Sequence, residues 1–283
     1  LNQESMKKIL LLAVAFVSIM ASAQVLNVES VEKLNIPQNS DSKIAGISPD
    51  GSYVLITSQS NTGLMKFDLG TSKVTAITEA VGAGYNVEIS ADSKNVTYRE
   101  VTLSADKSRL ASLVRQDLTT ATKTTLVKST RDMQRARAKQ AVAPVVSIQN
   151  GELMLTIGTI SKVLSPNGQG LSYLWPSLSP DGSKIVYYVS GSVWTCNVDG
   201  TNVTRVGNFH APKWYNNNVV VGMNDEDDGH VVTSSAIVAY TLDGKKQVLT
   251  NNSIMAMYPY VSADGSKIVC STPTGEAYLI NIK

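Results

Sequence analysis

The densest run of chemistry-bearing side chains is Asn224-Asp225-Glu226-Asp227-Asp228-Gly229-His230. Clustered carboxylates offer the hard oxygen ligands that calcium prefers, so calcium is the cation this stretch could hold. The run lacks the strict alternation of an EF-hand loop, and Ser235 stands where a closing glutamate would be. A solvated hairpin loop is therefore the first reading, with no cofactor required and calcium as its alternative. The only other histidine is His210. A serine hydrolase would need a nucleophile elbow, and no G-x-S-x-G occurs. The two cysteines, Cys196 and Cys270, sit in strand-like segments of different repeat units and read as small buried hydrophobes rather than a disulfide. No catalytic residue is assigned.

The elements that position these residues are announced by one turn. Ser179-Pro180-Asp181-Gly182-Ser183 leads into Lys184-Ile185-Val186-Tyr187-Tyr188. Ser48-Pro49-Asp50-Gly51-Ser52 and Ser262-Ala263-Asp264-Gly265-Ser266 do the same ahead of their own apolar strands. Proline presets the first corner, aspartate suits the second, and glycine takes the left-handed position without a steric cost. Each copy should link the first and second strands of one unit. A weaker copy at Ser90-Ala91-Asp92-Ser93 replaces the glycine, and Asn150-Gly151 and Asn216-Asn217-Asn218 mark two further units. Each unit holds short antiparallel strands in about 40 residues, the size of a propeller blade.

The expected fold is all-β: a six-bladed β-propeller with four antiparallel strands per blade. The sixth unit is one strand short and residues 24–36 are one strand over, so the N-terminal strand should complete the last blade. Closure of this kind protects a sheet edge. In such a ring the turns between first and second strands share one face. The acidic loop shares the opposite face, the ring mouth, with Tyr85, Trp175, Tyr258 and Pro176, Pro212 and Pro259. Tyr85, Trp175, Tyr258, Asp225 and Asp227 are therefore the candidate binding residues; the aromatics could anchor a peptide or sugar, or wedge adjacent blades apart. Trp194 and Trp214, within strands, read as core.

Lys7-Lys8, the apolar run Ile9–Met20 and Ala21-Ser22-Ala23 together read as a secretory signal peptide with cleavage after Ala23. The expected organisation is thus residues 1–23 as signal with a short upstream extension, and 24–283 as one propeller domain, periplasmic or secreted. The apolar run is short for a membrane span, which takes about 20 residues, and no later segment is apolar enough. A net charge of +2 gives no reason to expect nucleic acid. The basic stretch Arg131–Lys139 has helical propensity and reads as a solvated connector.

The L-S-P-D-G-S-K-I-V-Y-Y pattern at 178–188, with Pro176 before it and Asp199-Gly200 after it, resembles the WD40-like PD40 repeats. These build the propeller of the TolB-like family and that of prolyl-oligopeptidase-type enzymes. The resemblance covers about residues 25–283 and implies a six-bladed ring in an exported protein that contacts envelope partners. In TolB a separate domain precedes the propeller; here the signal segment runs almost directly into the ring. Propeller enzymes resembling oligogalacturonate lyase gather several histidines around a metal, and two histidines do not supply that set. The expected function is a monomeric, non-catalytic scaffold for a protein or cell-envelope component. The alternative is a propeller enzyme acting on a carbohydrate or lactone, with Asp225, Asp227 or Glu88 near the mouth and a divalent ion.

Overall fold

The computed structural model describes residues 24–36, 41–131, 133, 144–158 and 160–283. The signal segment and nearly all of the basic connector lie outside the described residues. Strand β1 is Val28–Lys33. The first blade is β2 (Ser42–Ile47), β3 (Tyr53–Ser58), β4 (Leu64–Asp68) and β5 (Val74–Thr78). The second is β6 (Glu88–Ile89), β7 (Asn95–Leu103), β8 (Arg109–Asp117) and β9 (Lys123–Thr130). The third is β10 (Val145–Gln149), β11 (Glu152–Ile157) and β12 (Ile160–Leu164). The fourth is β13 (Leu174–Leu178), β14 (Lys184–Val189), β15 (Ser192–Asn197) and β16 (Thr204–Gly207). The fifth is β17 (His210–Asn216), β18 (Val219–Asp227), β19 (Val232–Thr241) and β20 (Lys246–Val248). The sixth is β21 (Met257–Val261), β22 (Lys267–Ser271) and β23 (Ala277–Ile282), and β1 pairs antiparallel with β23 as its outer strand.

The ring is thus a six-bladed propeller closed by its N-terminal strand, as the strand count implies. One difference from the expected pattern is the third blade. Among the described residues its sheet has three strands, β10-β11-β12. After Leu164 residues 165–173 hold turns and no strand before β13 begins. The first strand of each sheet lies innermost, and the inner strands of neighbouring blades touch from β10 through β13, β17, β21 and β2 to β6. The apolar core is divided between successive blades: Ile237 and Ile268 meet between the fifth and sixth, Val54 and Val269 between the sixth and first, Tyr53 and Tyr98 between the first and second.

The repeated turn closes as its residues dictate. Ser48 Oγ accepts the Ser52 and Tyr53 amides at 2.8 and 3.0 Å, and Asp50 accepts the Ser52 amide at 3.0 Å. Ser179 Oγ accepts the Lys184 amide and Ser262 Oγ the Lys267 amide in the same way. Gly51, Gly182 and Gly265 have φ of +64°, +71° and +73°, and in the degenerate copy Ser93 adopts +60°. Hydrogen bonds from Ser179 and Ser183 hold the Asp181 carboxyl at about 2, below its ordinary 3.8. Asp50 is also held at about 2, because hydrogen bonds from Ser48, Ser52 and Ser93 outweigh its desolvation. Depressed carboxylates stabilise the fold above their ordinary pKa, and that stability is lost as pH falls through the folded value. The urea midpoint should therefore drop between pH 4 and pH 2, and Asp181→Asn should shrink the drop; an undiminished drop in the variant would mean the turn is not its source.

Candidate functional site

At the mouth, three inner strands carry a bulge at one recurrent place. Register shifts lie between Leu174 and Ser177, His210 and Lys213, and Met257 and Tyr260. Within each, the residue before proline adopts positive φ: Trp175 at +48°, Ala211 at +48° and Tyr258 at +53°. Proline disfavours the right-handed helical region for its predecessor, and left-handed backbone costs a non-glycine residue roughly 1–2 kcal/mol. The bulges leave Trp175 and Tyr258 at the surface, 37% and 49% exposed. Tyr85, on the loop entering the second blade, is 48% exposed and lies under the Arg99 guanidinium at 4.7 Å.

His210 opens β17 beside Ala211-Pro212. Its Nδ1 lies 2.6 Å from Asp225 Oδ1 and its Nε2 lies 2.9 Å from the Tyr188 hydroxyl. Asp225 comes from the far end of β18 and is largely buried, while Tyr188 comes from β14 of the fourth blade. Trp175 packs edge-on to Tyr188, with ring centroids 5.4 Å apart, and lies 6.0 Å from His210. The carboxylate can only accept, so Nδ1 carries a proton. Burial, with the Asp225 charge behind it, raises the Tyr188 pKa and keeps the phenol protonated beside Nε2. Both ring nitrogens are therefore engaged, and the chain Asp225–His210–Tyr188 fastens the fourth blade to the fifth. Asp225→Ala would leave a half-buried N–H without its acceptor and should lower stability by about 1–3 kcal/mol. Tyr188→Phe should cost about 1 kcal/mol, and urea melts of the single and double variants would measure their coupling; additive losses would mean that the chain does not act as a unit.

The structure brings two of the candidate residues, Trp175 and Asp225, to one place. Tyr85 and Tyr258 stand at other blade entrances. Asp227 accepts the Gly229 amide at 2.8 Å and Asp228 the His230 and Val231 amides at 2.9 Å, while Glu226 accepts the Ser234 hydroxyl at 3.2 Å. The acidic run is thus spent on its own hairpin, apart from Asp225. Among the described residues no three His, Cys, Asp or Glu side chains converge. Cys196 and Cys270 are free and buried, and burial pushes their thiols up to about 11 and about 12. Trp214 is buried in the core between the fourth and fifth blades and Trp194 packs against the core between the third and fourth. His210 and Tyr188 were not singled out as site residues by sequence reasoning. The available signal was position, since His210 precedes an X-Pro pair just as Leu174 precedes Trp175-Pro176.

No family profile and no curated protein matches the chain. Solved structures do. A putative TolB from Agrobacterium tumefaciens is 16% identical, with a TM-score of 0.53 over 86% of this chain and 90% of that one. A chain of the Mitotic Checkpoint Complex is 11% identical, with a TM-score of 0.53 over 91% and 96%. An oligogalacturonate lyase in complex with manganese is 16% identical, with a TM-score of 0.48 over 84% and 76%. Identities this low speak for the fold alone, because one fold hosts many functions. The architecture of this chain is that of a six-bladed propeller, similar in fold to the putative TolB.

Proposed function

We propose that this chain is an exported, monomeric, non-catalytic propeller scaffold that binds a protein or cell-envelope partner on its mouth face. The observation that carries the reading is the pair of aromatics, Trp175 and Tyr258, presented at the surface on bulged backbone. Exposed aromatic side chains set at strained positions and rimmed by polar groups suit a protein interface. Export rests on the signal-like segment 1–23. No helix among the described residues is long and apolar enough to cross a membrane. Capture from envelope extracts should return a specific partner with the parent protein and lose it with a Trp175→Ala/Tyr258→Ala variant of unchanged melting temperature. Equal capture by both proteins, or none by either, would overturn the reading.

One observation favours a second reading. The His210–Asp225 pair at the mouth could serve a propeller enzyme acting on a carbohydrate or lactone with a divalent ion. A ligand that binds only the native state raises its melting temperature. Melts with EDTA, calcium and manganese test this reading; it requires a metal-dependent rise that Asp225→Asn abolishes.

A further inference from the structure

The inner strands repeat one position around the channel. Gly46, Glu88, Ser177, Lys213 and Tyr260 each pair with the third residue of their blade's second strand: Leu55, Thr97, Val186, Val221 and Val269. They therefore stand at one level of the ring, on successive blades except for the third. The fourth to sixth blades contribute a hydroxyl, a cation and an aromatic ring in that order.

Three features of this arc stand out. The Lys213 ammonium lies over the Tyr260 ring, 5.4 Å from its centroid, and no carboxylate among the described residues pairs with it. Ser177 Oγ is buried and has no hydrogen-bond partner. Tyr260 also walls a cavity of about 160 Å³, together with Ala45, Ile47, Pro49, Val87 and Ile89. A half-buried cation without a counter-charge is costly, and so is a buried hydroxyl without a partner. Burial also lowers the Lys213 pKa. The cation–π contact offsets only part of such a cost, about 2 kcal/mol when desolvated. An anion seated on Lys213 would supply the missing counter-charge. The walls beyond it are apolar, so the anion should carry a short hydrocarbon part.

We propose that the channel binds a small organic monocarboxylate, its head group on Lys213 and its apolar part in the cavity beside Tyr260. The site begins where the mouth bulges end, at Ser177, Lys213 and Tyr260; partner capture and carboxylate binding are read separately, so its failure would leave the scaffold reading untouched. Hexanoate, hexanamide and inorganic phosphate, titrated into the full chain and read by calorimetry and melting temperature, test it. Hexanoate should bind at least tenfold tighter than either of the others. Lys213→Met should remove that preference, whereas Lys213→Arg, which keeps the cation, should retain most of it. If Lys213→Met does not fold, the parent and Lys213→Arg titrations decide the matter. Equal affinity for hexanoate and hexanamide, phosphate binding as tight as hexanoate, no binding at all, or a preference that survives in Lys213→Met would each overturn the proposal.

Discussion

A chain lacking residues 24–36 should fail to form a stable monomeric ring. That segment places Leu26, Leu34 and Ile36 in the core, each under 9% exposed. Fully burying such side chains contributes roughly 1.5–3 kcal/mol each, so about 5–9 kcal/mol is lost, against about 5–15 kcal/mol for a whole domain. The polar ties go as well. Gln247 Oε1 accepts the Val25 and Leu26 amides at 2.6 and 2.7 Å, and the Leu34 amide donates to the Ala277 carbonyl at 2.9 Å. Without β1, β23 becomes an unpaired outer strand of a three-stranded blade, a template for association with other chains. Light scattering and thermal melts should show aggregation and a collapsed transition, and a synthetic peptide of residues 24–36 should restore part of the stability. A truncated protein as stable and monomeric as the parent would contradict closure by this strand.

The second large effect belongs to Gly222. A Cβ built there would lie 2.4 Å from Phe209 Cδ2 and 2.6 Å from the His210 carbonyl oxygen. The ring of Phe209 cannot retreat, since it stacks on Tyr240 with centroids 4.6 Å apart. Backbone sits on the other side, so the strand itself must move. Gly222→Ala should cost about 1–3 kcal/mol by overpacking, and Gly222→Val more. The displaced backbone is that of His210, so its contact with Asp225 should loosen too. Gly182→Ala is the control: nothing lies near its Cβ, and only the positive φ opposes it, at roughly 1–2 kcal/mol. If Gly222→Ala melts with the parent, the close approach of β17 and β18 is not what holds His210 in place.

Most of the architecture was legible because its information is local. Ser-Pro-Asp-Gly-Ser specifies its own turn, and the strand that follows is apolar because it is buried on both faces between blades. Closure could be inferred by counting strands, since one unit lacked what residues 24–36 supplied. The third blade was harder to read, because its Asn150-Gly151 hairpin is clear while its missing outer strand leaves no mark of its own. The site was least legible. His210, Asp225 and Tyr188 lie 15 and 22 residues apart in sequence and meet only because adjacent blades bring strand ends together. The left-handed backbone at Trp175, Ala211 and Tyr258 was equally hidden, since a residue before proline is ordinarily extended.

The pairing of β1 with β23 also sets a timetable. Ser30 and Asn281 are 251 residues apart, yet Asn281 Nδ2 donates to Ser30 Oγ at 2.8 Å. A chain made from its N-terminus presents β1 long before its partner β23. The earlier strand waits while five blades are made, and the sixth blade cannot be finished until β23 has appeared. Contacts of such long sequence separation form late and slowly. The ring should therefore remain open until β23 has been made, and should lock in one final step. In refolding, protection of the β1–β23 amides from hydrogen exchange should be the last to develop, well after that of β14 and β15.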